Sequence, residues 1–169
     1  MAFGLEELLQ ANQRQAERFT QGSLPMPPAR HIAIVTCMDA RVEPLSFLGL
    51  NLGDAHIIRN AGGRITPDAL RSLVISEELL GTDTILVVHH TDCGMLTFGN
   101  EQLREKVGRD LGAAAQQAAN QIDFLPFTDL AASVRADVET IKSSPLIPQN
   151  IPVFGLIYDV RTGKLETIE

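Results

Sequence analysis

Hydrophobic and polar positions along this 169-residue chain alternate between two periods. The runs Ile32-Ala33-Ile34-Val35-Thr36 and Thr84-Ile85-Leu86-Val87-Val88 are rich in β-branched residues and almost continuously apolar, as expected of strands buried on both faces of a parallel sheet. Residues 54–59 and 151–158 read as further strands, and Arg161-Thr162-Gly163-Lys164 as a turn into a last short strand over 165–168. Between them, spacing near helical periodicity predicts helices over 42–50, 67–80 and 127–142. Pro67 suits the first turn of the second and Gly81 its end, and the third bears Leu130, Val134, Val138 and Ile141. Residues 95–107 are predicted helical or partly irregular, 113–122 weakly helical, and 112–129 as a whole either a substrate-access element or a packing segment, with packing the favoured reading. Strands alternating with helices imply a single α/β domain. Its central sheet is mainly parallel, with about four parallel strands, an antiparallel edge strand from the final hairpin, and flanking helices.

At the start of the chain, Leu5, Leu8, Leu9, Ala16 and Phe19 fall close to helical spacing among Glu6, Glu7, Gln10, Arg14 and Glu17, which predicts an amphipathic helix over 3–19. Gly22-Ser23-Leu24-Pro25-Met26-Pro27-Pro28 then forms a proline-stiffened connector. The organisation expected is a helical arm with its connector over 1–28 and one domain over 29–169. The arm either packs on its own domain or lies across a second subunit. No internal repeat or low-complexity segment interrupts the pattern.

A net charge of −7 and a pI near 5.1 argue against a nucleic-acid partner, which needs a basic face. Nothing approaches the ~20 consecutive apolar residues that span a bilayer, so no membrane partner is expected. The chain has only two cysteines, far apart, and its opening residues lack a signal-peptide pattern. A reducing, cytoplasmic setting follows, where such a pair is more often a metal or catalytic site than a disulfide.

The chemistry-bearing residues cluster after the two most apolar runs. Cys37-Met38-Asp39-Ala40-Arg41 follows the first and His89-His90-Thr91-Asp92-Cys93-Gly94 ends the second. If the two strands are parallel neighbours, both stretches lie at the edge where open α/β sheets bind ligands. Two thiols and an imidazole then supply three zinc ligands, the number typical of a catalytic site with an open fourth position. His90 precedes Cys93 by three residues, so a turn at the strand end can aim both at one ion, while His89 points to the opposite face. Asp39 can coordinate the metal or accept a hydrogen bond from its water, and Arg41 can keep that carboxylate ionised through a bidentate pair. In Asn60-Ala61-Gly62-Gly63-Arg64 the glycines allow positive φ and close backbone approach, so Gly62 and Gly63 serve either a small linear substrate or a tight turn. Zinc lowers the pKa of a bound water and presents hydroxide to an electrophilic carbon. Two thiolates cancel the ion's formal charge, so that water should be less acidic than the value of about 7 found with three imidazoles, and activity should rise above neutral pH.

Cys37-x-Asp39-x-Arg41, followed about fifty residues later by His90-x-x-Cys93-Gly94, resembles the β-class carbonic anhydrases, and Arg59-Asn60-Ala61-Gly62 is similar to a family stretch. The resemblance is strong over residues 29–98 and extends as pattern over the rest. Short length and the proline connector look like the compact microbial branch, which also includes carbonyl sulfide and carbon disulfide hydrolases. The resemblance implies one Zn2+ per subunit on Cys37, His90 and Cys93, with Asp39 as fourth ligand in a closed state only, displaced by water once Arg41 captures it. It also implies an obligate homodimer or a dimer of dimers, with the site near the subunit interface. The glutamine and tyrosine that line the pocket of plant-type members have no match here. The implied reaction is hydration of carbon dioxide to bicarbonate, with hydrolysis of carbonyl sulfide on the same zinc site as the alternative. A non-catalytic, zinc-stabilised interaction domain is a third reading of the same ligands. A cysteine phosphatase would want five residues between its cysteine and arginine, where Cys37 and Arg41 enclose three, and a thiol oxidoreductase would want the Cys-x-x-Cys that is absent.

Overall fold

Five strands make one sheet in the order β2-β1-β3-β4-β5, in a computed structural model that describes residues 4–169. β1 (Ile32–Cys37), β2 (Ala55–Asn60), β3 (Thr84–His90) and β4 (Val153–Tyr158) run parallel, and β5 (Leu165–Ile168) closes one edge antiparallel to β4. This is the mainly parallel α/β sheet with an antiparallel edge that the periodicity predicts. β1 and β3 lie at its centre, which is why their sequences are unbroken: Ala33, Ile34, Val35, Ile85, Val87 and Val88 are all fully buried.

The helices are α1 (Leu5–Ala16), α2 (Pro44–Phe47), α3 (Pro67–Leu80), α4 (Asn100–Leu111), α5 (Ala113–Ala119) and α6 (Leu130–Lys142). α3 begins as its sequence suggests, with Thr66 Oγ1 accepting from Ala69 N at 3.2 Å and Pro67 in the first turn, and it ends on left-handed Gly81. Its buried face, Ala69 and Leu73, joins Ala33, Val35, Ile85, Val87, Ile141 and Val153 in the main core. Several elements depart from their predicted spans. α2 occupies only four of residues 42–50, because Val42 is spent on a turn back to Asp39 and Gly49 takes a positive φ of 66°. Residues 95–107 split into a 3-10 turn at Gly94–Leu96 and the start of α4. α6 starts at Leu130 rather than 127, because Asp129 Oδ1 caps it by accepting from Ala132 N at 2.9 Å and Phe127 is drawn into a second cluster with Cys37, Cys93 and Met95. α1 buries none of its residues, and Phe3, the expected first residue of that helix, lies outside the described residues. Among the described residues no helix is long and apolar enough to cross a membrane.

Candidate metal centre

β1 and β3 are paired in parallel register with Thr36 opposite Val88, so both strands end at one edge. The buried Thr36 Oγ1 donates to the Val88 carbonyl at 2.7 Å and ties those ends together. Just beyond, Cys37 and His90 come alongside each other, and Asp92, in a left-handed conformation with φ 56°, turns the chain so that Cys93 returns to them. The candidate ligand atoms of Cys37, His90 and Cys93 all lie within 4.8 Å of one another, and the three residues are 4, 1 and 3% exposed.

His90 Nδ1 sits 2.8 Å from the Thr91 carbonyl, which can only accept, so Nδ1 carries the proton and Nε2 presents a lone pair to the two sulfurs. That Nε2 is buried without a hydrogen-bond partner. Two thiols and an orphaned imidazole nitrogen, all dry, form a donor set that fits a thiophilic divalent cation. The electrostatics point the same way. A hydrogen bond from Cys93 lowers the Cys37 thiol below its usual range, against the effect of burial, and the same contact together with burial pushes Cys93 up. Ionising one sulfur thus works against ionising the other. Burial pushes His90 down, but the neighbouring Cys37 sulfur and its charge outweigh this and raise it overall. A bound cation would let both sulfurs ionise and remove the conflict.

Asp39 stands beside this triad, its Oδ2 3.8 Å from His90 Nε2, but it is held by Arg41. Arg41 Nε donates to Asp39 Oδ1 at 3.0 Å, Nη2 to Oδ2 at 2.8 Å and the Arg41 backbone N to Oδ1 at 2.9 Å. These bonds, the guanidinium first, hold the Asp39 carboxyl well below the usual carboxylate range. Arg41 has a second anion that the sequence pattern did not single out. Nη1 donates to Asp92 Oδ2 at 2.7 Å and Nη2 to the Asp92 carbonyl at 3.0 Å, so one guanidinium joins the two ligand-bearing loops. Arg59 adds a peg from β2, donating to the Cys37 carbonyl at 3.1 Å and the Asp39 carbonyl at 2.8 Å.

The cavity over the triad has a volume of about 310 Å3. Cys37, Cys93 and Asp39 form its polar part, and Met38, Met95, Phe98, Ala61 and Gly62 its apolar wall. Gly62 and Gly63, with φ of 82° and 69°, part company here. Gly62 faces the cavity, whereas Gly63 packs on β1, where an added Cβ would lie 2.9 Å from Thr36 C and 3.0 Å from Cys37 N. Apolar wall residues such as Met95 and Phe98 carry no sequence signal that separates them from core. A larger concavity of about 580 Å3 opens between α6 and the β4–β5 edge, and none of the predicted site residues lines it.

The carbonic anhydrase family model matches residues 32–165. Beta-carbonic anhydrase 1 of Mycobacterium tuberculosis is 41% identical over 148 residues, covering 88% of each chain. Carbon disulfide hydrolase of Saccharolobus solfataricus is 38% identical over 162 residues, covering 83% of this chain and 78% of that one. Among solved structures, carbonic anhydrase from Streptococcus mutans superposes with a TM-score of 0.92 at 49% identity, over 100% of both chains. With the family match spanning both ligand-bearing loops and all four parallel strands, this chain belongs to the β-carbonic anhydrase family.

Proposed function

We propose that the protein hydrates carbon dioxide to bicarbonate, using one zinc ion per subunit held by Cys37, His90 and Cys93. The observation that carries this reading is the convergence of those three ligand atoms, within 4.8 Å of one another, beneath a mostly apolar cavity lined also by Asp39, which Arg41 holds in an ion pair. When bound, zinc supplies the Lewis acidity that makes water a nucleophile near neutral pH. The chain does the rest. Arg41 keeps Asp39 ionised and turned aside, which would leave a bound cation's remaining position open to solvent and offer that solvent a hydrogen-bond acceptor. Met95 and Phe98, with Met38 at the rim, give the cavity an apolar wall suited to a small uncharged molecule, and Gly62 lets it approach the backbone. Were Arg41 to release it, Asp39, 3.8 Å from His90 Nε2, would be the closed-state fourth ligand.

Stopped-flow hydration by the zinc-loaded protein tests the reading. A rate well above that of free zinc, rising above neutral pH, is expected, and a rate no better than free zinc would return the site to a structural role. A second substrate reading is favoured by the 38% identical carbon disulfide hydrolase: hydrolysis of carbonyl sulfide to hydrogen sulfide and carbon dioxide on the same ligands. Sulfide release measured beside hydration on one preparation decides between them.

The working unit is proposed to be a homodimer or a pair of dimers. Leu5, Leu8 and Leu9 on α1 are 72, 55 and 59% exposed, an apolar stripe left largely uncovered among the described residues, which supports an arm over 1–28 laid across a second copy. The free, apposed thiols support a reducing, cytoplasmic setting.

A further inference from the structure

Behind the cavity lies a buried charged network that the proposed chemistry does not use. We propose that Arg64, locked by the carboxylate of Asp137, is the positioning residue that holds the apolar wall of the cavity in place. The proposal rests on the reading of that cavity as the substrate site.

Asp137 lies on α6, 73 residues from Arg64, and its side chain is only 4% exposed. Its Oδ2 accepts from Arg64 Nε at 2.8 Å and its Oδ1 from Ile65 N at 3.2 Å. The buried His89 closes the group from β3, its Nε2 3.1 Å from the same Oδ2, though out of line for a hydrogen bond. Burial pushes the Asp137 carboxyl up, but His89 and Arg64 together pull it below its ordinary value, so it stays ionised opposite the guanidinium.

Arg64 uses this anchorage in two directions. Toward the glycine turn, Asn60 brackets its backbone, with Oδ1 accepting from Arg64 N at 2.8 Å and Nδ2 donating to Arg64 O at 2.7 Å. Toward residues 124–127, Nη1 donates to the Leu125 carbonyl at 2.9 Å and the guanidinium lies 5.6 Å from the Phe127 ring centroid. Phe127 in turn donates its N–H to the Met95 carbonyl at 3.2 Å and stacks on His89 with centroids 5.6 Å apart. Gly62 and Met95, both in the cavity wall, are gripped between these two arms. A Cβ on Gly62 would lie 2.9 Å from Met95 Cγ and 3.3 Å from Phe127 Cε1, so wall and backing are already in contact. A buried ion pair is a poor way to gain stability, since apolar groups of similar volume commonly do as well. What a planar fork adds is geometry, because one guanidinium can fix a carboxylate, a carbonyl and a ring at set angles.

The test is the paired variant Arg64→Met with Asp137→Asn, which leaves no unpaired buried charge and keeps an acceptor for Ile65 N. Arg64→Lys, which keeps the ion pair and loses the fork, serves as the second variant in case the first does not fold. The first readout is hydrogen exchange at the Phe127 amide, which needs no metal and no turnover. It should quicken by about tenfold, while amides in β1 and β3 keep their protection. The second is a split in steady-state constants on the zinc-loaded protein: KM for carbon dioxide should rise on the order of fivefold with kcat changed less than about twofold, as expected when ground-state and transition-state binding are lost together. Unchanged exchange would overturn the clamp. Faster exchange with an unchanged KM would overturn its positioning role and leave the hydration reading standing. A wild-type protein that turns over no carbon dioxide overturns the reading of the cavity, and this proposal with it.

Discussion

Gly63→Ala is the substitution whose cost the structure sets most directly. The residue sits at φ 69°, where a side chain adds about 1–2 kcal/mol of torsional strain. The new Cβ would also lie 2.9 Å from Thr36 C, 3.0 Å from Cys37 N and 3.1 Å from Thr36 Cα, all atoms of a central strand with no freedom to yield. Overpacking of this kind costs about 1–3 kcal/mol more, giving a loss of roughly 2–5 kcal/mol in all. Gly49→Ala separates the two contributions, because Gly49 has φ 66° and nothing within 4 Å of an added Cβ, so that variant should lose only about 1–2 kcal/mol. Urea unfolding of both variants beside the wild type measures the difference. The clash falls on the peptide that delivers Cys37, so Gly63→Ala should also weaken metal retention under chelator challenge, and Gly49→Ala should not. A loss below about 0.5 kcal/mol at Gly63, or equal losses at the two sites, would refute the claim that the turn is pressed against β1.

Three further outcomes follow from the same coordinates. Cys93→Ser should lose zinc and turnover together, read by metal analysis and stopped flow on one sample; full metal content with normal turnover would remove Cys93 from the ligand set. Arg41→Ala should keep its zinc but lose most of its activity, because Asp39, 3.8 Å from His90 Nε2, is then free to take the fourth position; an unchanged rate would count against that switch. Glu77, 8% exposed with both carboxylate oxygens unpartnered, has its pKa pushed up to about 7 by burial and by neighbouring Glu78. Its folded value lies above the ordinary 4.5, so the stability it permits is complete below about pH 4.5 and is lost as pH rises through 7. Glu77→Gln should therefore gain about 1–2 kcal/mol at pH 8, after allowance for partial solvation, and little at pH 5. Urea unfolding at the two pH values checks this, and an equal effect at both would remove the titration from the explanation.

The ligand triad was legible because each of its members follows a strand whose apolar run is hard to mistake. Once two such strands are parallel neighbours, chain order alone brings Cys37, His90 and Cys93 to one edge. The assignment of His89 to the other face came from the same alternation, and the structure places that ring against α6 and Phe127. Less could be read where a residue's partner lies far away in sequence and is chosen by packing. Asp137 looks like one polar residue in an amphipathic helix, and nothing local says that it will meet Arg64. Phe127 fits the helical spacing of α6 equally well until the Asp129 cap and the Met95 carbonyl claim that segment. Asp92 lay within the quoted pattern, but its task depends on a loop 51 residues earlier.

His89 and His90 carry the physical argument furthest, because one strand end serves two opposed tasks. Successive side chains of a strand leave opposite faces, so His90 can meet the sulfurs only if His89 enters the space under α6. The reverse also holds: a one-residue shift of β3 that moved His90 into the place of His89 would put it beside Asp137 and leave the sulfurs without an imidazole. Register is therefore part of the site. It is fixed on one side by the Thr36–Val88 bond at 2.7 Å and on the other by pairing of His89 with Ile157 and His90 with Tyr158 in β4. The buried carboxylate of Asp137 then discriminates between the two rings, since it contacts the one that belongs under α6 and not the one that belongs with the thiols. A network that adds little stability can in this way favour the strand register in which the metal ligands converge.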